Sequence, residues 1–406
     1  GRYPSSPESF GFARAPARDP SMERPLCIGI LCHPTYGGSG VIASELAISL
    51  SEAGHTVHLF SHAVPPRLAR SAGPVRMHVA QGAPYPLFHS TPHDIAITSC
   101  ILDVHRAEGL DLLHAHYALP HAVSAYLARS AAQADHGRAA PRVVTTLHGT
   151  DITLVGSDPS YASLTQFVIQ ASDAATAVSA WLARETKEQF CNDQSNGCEI
   201  EVIPNFVDTE RFNPAAASRG VRCFDARRPT AVHVSNFRPV KRVPWLVEAF
   251  VEATRGRDAH LILIGDGPDQ MTARTRAREL GAESRVTFLG ERDVLPEVLA
   301  MAQVFALSSS SESFGLSALE AMACGTPVVA CDAGGVGEVV SHARTGLLSS
   351  VDDRAGFARH LGLLLFDRPR AEEMGRAARA DALERFRRER VVGAYEDLYR
   401  RVLARP

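Results

Sequence analysis

The sequence predicts two doubly wound α/β domains in tandem, facing each other across a crevice, and three observations predict it. The chain has 406 residues, more than a single hydrophobic core usually serves. Short continuous apolar runs alternate with helical patterns along its length, which implies parallel sheets covered on both faces. The alternation breaks once, at EVIPNFVDTERFNPAAASRG, where Pro204, Asn205, Pro214 and Gly220 punctuate the chain, and it then restarts.

Residues 1–24, GRYPSSPESFGFARAPARDPSMER, are rich in Pro, Ser, Gly and Arg and lack the apolar stretch of a secretory signal. They are expected to be a disordered or cloning-derived extension, and Met22 fits a native start. The first domain is expected over 25–207. Its first strand, within LCIGILC, ends in HPTYGGSG, which opens a helix from Val41 to Ala53 closed by Gly54. TVHLF, VRMHV, DLLHAH, RVVTTLH and AATAVS are the further strands of what is then a Rossmann-like domain. The second domain is expected over 208–384. TAVHVS leads into a helix from Val243 to Thr254, HLILIGDGPD into a helix running through Leu280, and RVTFLG, VFALSS and PVVACD complete the sheet. Residues 385–406 carry the end of an amphipathic, Arg-rich segment, a helix or helix pair able to return across the first domain.

Composition narrows the class. With 45% apolar and 21% charged residues the chain reads as globular. It has no apolar run of the roughly 18 residues that membrane insertion needs. A net charge of −3 predicts no nucleic-acid partner. Eight cysteines without CxxC or Cys/His ligand spacing predict buried or inert thiols in a reducing cytoplasm. A homo-oligomer is left open.

Ligands of such sheets bind outside the carboxyl ends of the strands, here in the crevice. Gly37, Gly38 and Gly40 follow the first strand and start a helix, so their amides can approach an anion. The spacing is not GxGxxG and no acidic residue is placed for an adenosine ribose, and a turn serving geometry alone is the alternative. In the second domain SNFRPVKRV sets Arg238, Lys241 and Arg242 at the crevice mouth, where a cationic cluster suits a diphosphate; a solvated basic loop is the plain alternative. Gly265, Gly267 and Pro268 make a turn against which a planar base can lie.

SSSSESFGLSALEAMACGTP carries Glu312 and Glu320. Glu312, Ser313 and Phe314 form a loop ahead of a short helix begun by Gly315, whose N-terminal amides suit a pyrophosphate or a sugar hydroxyl. Glu320 lies in an apolar helix and needs a partner, which a ribose diol would supply; a capping device with a buried ion pair would also explain it. His114, His116 and His121 invite a zinc reading, but they lack a carboxylate or cysteine to complete a ligand set, so no metal is expected.

These features, with EAMACGTPVVA, resemble the retaining GT-B glycosyltransferases of the glycogen-synthase-like, nucleotide-sugar-dependent group over nearly the whole chain after Met22. CHPTYGGSGVIASELA, HAHYALPHAVSAYLA, TTLHGTDITLVGSDPSY, IPNFVD and SNFRPVKRV resemble its malate-glycosylating branch, which opens bacillithiol synthesis. The resemblance implies UDP-N-acetylglucosamine as donor, L-malate as acceptor, retained anomeric configuration and no cofactor. It gives catalytic roles to His148, Arg238, Lys241 and Glu312. Donor contacts fall to Gly38, Asn236 and Gly267, and to Ser313, Phe314, Gly315, Leu316 and Glu320. Ser39, Gly40, Arg67, Tyr117 and Thr150 are the acceptor candidates. The family loop often reads GRLxxxKG, with Arg where this chain has Asn236; Lys241 matches the family Lys, and Arg238 would supply the second cation. A retaining transferase with another small or envelope acceptor, a UDP-sugar epimerase and a silent nucleotide-sugar binder are the competing readings.

Overall fold

The computed structural model describes residues 24–35, 37–70, 73–84, 91–135, 137–191, 198–219, 228–291 and 295–405. Residues 1–23 of the expected extension, Gly220 and Cys223 lie outside them.

Seven parallel strands build the first sheet: β1 (Cys27–Leu31), β2 (Thr56–Ser61), β3 (Arg76–Val79), β4 (Leu112–His116), β5 (Arg142–Leu147), β6 (Ala174–Ala177) and β7 (Ile200–Val202). Their order is β3-β2-β1-β4-β5-β6-β7. The second sheet holds β8 (Thr230–Val234), β9 (His260–Ile264), β10 (Val286–Gly290), β11 (Val304–Leu307), β12 (Val328–Cys331) and β13 (Gly346–Ser349) in the order β10-β9-β8-β11-β12-β13. Strand order reverses between β1 and β4 and again between β8 and β11. Those are the switch points where crossover helices part and leave a cleft. The strands read from apolar runs are all present, and β7 and β13 join them.

The helix after β1 runs Gly38–Glu52, three residues ahead of the expected Val41. Gly37 caps it in extended conformation. Gly40 packs so tightly on the strand exit that a Cβ there would stand 2.7 Å from the carbonyl oxygens of His33 and Thr35. The first helical turn therefore lies directly against the end of β1.

The chain's last helix, Arg388–Leu403, buries Val391, Tyr395, Leu398, Tyr399 and Val402, a one-sided apolar stripe at helical spacing. They share one core with Ile28, Ile30, Leu46, Leu112 and Val144 of the first sheet's layer. Its two buried tyrosines are satisfied inside: the Tyr399 hydroxyl pairs with His114 Nδ1 at 2.7 Å and that of Tyr395 with Thr146 Oγ1 at 3.4 Å. The return crossing is stitched to the outgoing one where Val207 donates its N–H to the Phe386 carbonyl at 3.0 Å.

Two cysteines depart from the expectation of inert thiols. Cys191 and Cys198 form a disulfide, their Cα atoms 5.6 Å apart, within the span a disulfide bridges. Cys27, Cys32, Cys100, Cys324 and Cys331 form no disulfide, and burial pushes the Cys32 thiol up to about 12, so it stays protonated.

Candidate active site

The carboxyl ends of β4 and β5 and the start of the Gly38–Glu52 helix form one wall of the crevice. Tyr117 directly follows β4 with φ 100°, a left-handed conformation costly for a bulky side chain and found where surrounding structure enforces it. The Ser39 and Thr150 hydroxyls act on the Tyr117 hydroxyl, so three acceptor candidates lie close together. Burial, then the Asp151 carboxylate, raises the Tyr117 phenol above its ordinary range, against the pull of those bonds and of Arg238. Arg238 belongs to the second domain, so its effect on Tyr117 places it across the crevice.

His148 stacks on the Tyr117 ring, centroids 5.5 Å apart and planes 18° from parallel. Its Nε2 is turned inward onto His116 Nδ1 at 2.9 Å, so only Nδ1 remains for a substrate. Burial, then the neighbouring His33, pushes His148 down to about 3. It is therefore a neutral hydrogen-bonding ring at physiological pH, not a cation. Of the three histidines that invited a zinc reading, His114 has both nitrogens in hydrogen bonds, to Tyr399 and Thr146. Among the described residues no group of three or more His, Cys, Asp or Glu side chains could hold a metal ion.

Arg67 does not stand free for an acceptor carboxylate. Its Nε is bound to Glu45, and its Nη2 lies 3.7 Å from Asp208.

The second domain supplies the other wall. Lys241 Nζ meets Glu312 Oε2 at 2.6 Å, and the Ser309 hydroxyl donates to the same oxygen at 3.2 Å. Both members of this pair keep a little under a fifth of their side-chain surface exposed (18% and 17%), enough to meet a ligand and too little to be idly solvated. Arg238 is part-buried, and its Nε lacks a hydrogen-bond partner. Arg242 has a different fate. With φ 52° it turns back into the fold, donates to the Ser308 and Val351 carbonyls and stacks over Trp245. Asn236 is exposed, and its carbonyl packs so close to Gly267 (φ 152°) that a Cβ there would sit 2.0 Å from it. The two loops therefore form one continuous backbone surface.

Gly315, at φ 94°, caps the Leu316–Ala323 helix. Leu316 faces Gly38 across the crevice, with its Cδ2 3.8 Å from where a Gly38 Cβ would be, so the two helix N-termini approach each other. The Phe314 ring is 4% exposed and packs edge-on against Phe386 at 5.7 Å, so a donor contact there would fall to its backbone. Glu320 is part-buried. Burial pushes its carboxyl up to about 7, opposed by Arg211 and reinforced by Glu45.

Two positions escaped the sequence reading. Glu338 of the second domain accepts the N–H groups of Ala180 and Trp181 in the first, both at 2.7 Å, and so caps the Ala180–Phe190 helix across the domain boundary. Its signal is the GGVGEVV run after β12: Cβ atoms on Gly334 and Gly335 would each stand 2.2 Å from the Glu312 and Ser313 carbonyl oxygens. The other is Asp151, in HGTD after β5, whose signal is an acidic residue two positions beyond a glycine turn.

The crevice between the two parallel sheets thus has a cation–carboxylate pair on one wall and clustered hydroxyls on the other. Residues 36–211 match the family described as Glycosyltransferase Family 4, and residues 217–381 match Glycosyl transferases group 1. The chain belongs to the group 1 glycosyltransferases, built on the GT-B fold. It is similar to the N-acetyl-alpha-D-glucosaminyl L-malate synthase of Bacillus anthracis, with 41% identity over 380 residues, 93% of this chain and 97% of that protein. It is also 31% identical to a D-inositol 3-phosphate glycosyltransferase of Nocardia farcinica, over 85% of this chain and 81% of that one. Among solved structures, the sucrose-phosphate synthase of Thermosynechococcus elongatus shares the fold with a TM-score of 0.76 at 23% identity, covering 93% of this chain and 99% of that one. Anabaena HepE in complex with UDP-glucose does so with a TM-score of 0.76 at 20% identity, covering 92% and 99%.

Proposed function

We propose that this protein is a retaining glycosyltransferase that moves N-acetylglucosamine from UDP-N-acetylglucosamine to the hydroxyl of L-malate, working in the cytoplasm without a metal. The observation that carries this reading is the 41% identity, spanning both domains, to a protein named for that product. The meeting of Ser39, Tyr117 and Thr150 on the first-domain wall supports an acceptor rich in oxygen.

In the reaction, the bond from the sugar C1 to the β-phosphate oxygen breaks while the malate hydroxyl oxygen bonds to C1 from the same face. The hydroxyl proton passes to the departing phosphate, and configuration is retained. Retaining glycosidases reach that outcome through an enzyme carboxylate on the opposite face; here the leaving group itself serves as base. Charge then grows on the diphosphate, and Lys241, Arg238 and the amides opening the Leu316–Ala323 helix neutralise it. Glu320 accepts the ribose hydroxyls, and Asn236 and Gly267 line the uracil side. His148 presents Nδ1 to the sugar. Malate is a dianion, and the amides of Gly38, Ser39 and Gly40 with the three hydroxyls receive it.

A panel of nucleotide sugars and hydroxy acids, scored by conjugate mass and UDP release, tests the reading. N-acetylglucosaminyl malate is the expected product. Efficient transfer to inositol phosphate with no malate conjugate would overturn the acceptor, and product formed without any acceptor would indicate epimerisation.

Glu320 adds a pH dependence. Only the ionised carboxylate accepts both ribose hydroxyls, and its carboxyl is raised to about 7, so that form dominates above 7 and becomes scarce as pH falls through it. UDP-N-acetylglucosamine has no proton to lose in this range. Its affinity is expected to fall about tenfold from about pH 8 to about pH 6, measured by calorimetry, and Glu320→Gln should flatten the profile. A wild-type affinity independent of pH would remove Glu320 from the ribose.

A further inference from the structure

Asp151 has no exposed surface and sits where the loops leaving β4 and β5 meet. Its Oδ2 accepts the Ala118 N–H at 3.0 Å. Its Oδ1 accepts the N–H groups of Gly149 at 2.8 Å and of His148 at 3.1 Å. One carboxylate thus ties together two loops that carry Tyr117, His148 and Thr150. We propose that Asp151 is a positioning residue for the acceptor, holding Tyr117 and the His148–Thr150 turn in the mutual register that the acceptor and the donor sugar require. The proposal rests on the assignment of this wall to the acceptor.

Three features separate this from a generic buried hydrogen bond. Both loops hold a residue in the left-handed region: Gly149 reaches φ 115° freely as a glycine, but Tyr117 at φ 100° persists only where neighbours fix it. Ala118 and Gly149 are themselves buried, so without the carboxylate their amides would be orphaned donors. The third feature is that no counter-cation among the described residues acts on Asp151: burial lifts its carboxyl to about 6, opposed by the amides of Ala118, Gly149, His148 and its own residue. Its charge is held by backbone dipoles alone.

The groups facing it do not titrate near 6. Tyr117, on the β4 loop, is raised above its ordinary value. His148, on the same loop as Asp151, lies near 3. Arg238, from the opposite domain, acts on Tyr117. Protonating Asp151 converts one acceptor oxygen into a donor, and Asp151→Asn makes the same change permanently by setting an NH₂ against an amide N–H.

The experiment compares wild type with Asp151→Asn, using whichever acceptor the wild type glycosylates in the panel described above, so failure of the malate reading remains a separate result. The variant is expected to lose about 10²-fold in acceptor kcat/KM while UDP affinity stays within about twofold. The acid-side inflection near 6 in wild-type acceptor kcat/KM should vanish in the variant, which a substrate's own titration cannot produce. Unchanged acceptor kcat/KM, or an equal loss of UDP affinity, would overturn the proposal. Should the variant not fold, hydrogen exchange on the wild type decides. After correction for intrinsic rates, protection of peptides spanning 117–122 and 148–152 should drop as pH falls through 6, and protection that does not change refutes the role.

Discussion

Lys241→Ala is expected to lower turnover at saturating substrates by about 10²–10³-fold, while the acceptor KM moves by no more than about twofold. The reason lies in what the lysine faces. Its Nζ is 2.6 Å from Glu312, and the growing charge of a departing diphosphate would have to share that lysine with the carboxylate. Removing the cation leaves Glu312 as an unpaired negative charge beside the developing phosphate dianion, so the loss concentrates in the transition state, where charge has built up most. Steady-state UDP release at saturating donor and acceptor measures it. Lys241→Ala combined with Glu312→Gln distinguishes two origins of the effect. If the lysine acts mainly by restraining Glu312, the double variant recovers much of the rate; if it acts directly on the phosphate, the double variant stays as slow as the single one. Turnover unchanged in Lys241→Ala would mean that the pair is a structural ion pair and nothing more.

The pair also shows why second-domain chemistry was more legible in the sequence than first-domain chemistry. Lys241 and Glu312 lie in loops that directly follow strands read from apolar runs, so their place at the crevice follows from topology alone. The strands missed, β7 at IEV and β13 at GLLS, are three and four residues long, too short for a run to stand out from its surroundings. Side-chain direction was the weaker inference. Arg242 looked equivalent to Arg238, but its positive φ sends it into the fold toward Trp245. Phe314 sits between two expected donor contacts, Ser313 and Gly315, yet its ring fills the core against Phe386. Arg67 shows a further gap: a cation in a loop cannot reveal that Glu45, a helix away, has already claimed it. Asp151 and Glu338 escaped because their partners are backbone amides, which no residue pattern marks. In each case the strand order fixed where a segment lies, while long-range partners fixed what its side chain does.

Such a long-range partner sets the second large effect. Gly149→Ala is expected to reduce kcat/KM by about 10²-fold with UDP affinity nearly unchanged. Gly149 adopts φ 115°, and a Cβ there would stand 1.6 Å from Ser313 Oγ and 2.6 Å from Ser313 Cβ. The glycine is thus where the His148 turn of one domain touches the donor loop of the other, and no rotation of the serine hydroxyl relieves the second clash. Alanine must push the domains apart at this contact, where the proposed reaction has acceptor and donor sugar meet, whereas nucleotide binding, which the proposal gives to the second domain's own wall, would be spared. Ser313→Gly removes both clashing atoms, so adding it to Gly149→Ala should restore part of the lost activity. Recovery is partial because the left-handed backbone still costs an alanine about 1–2 kcal/mol. Kinetics of the two single variants and the double variant, with calorimetric UDP binding for each, measure the effect. If Gly149→Ala retains wild-type kcat/KM, the close approach of Gly149 to Ser313 does not belong to the form in which sugar transfer occurs.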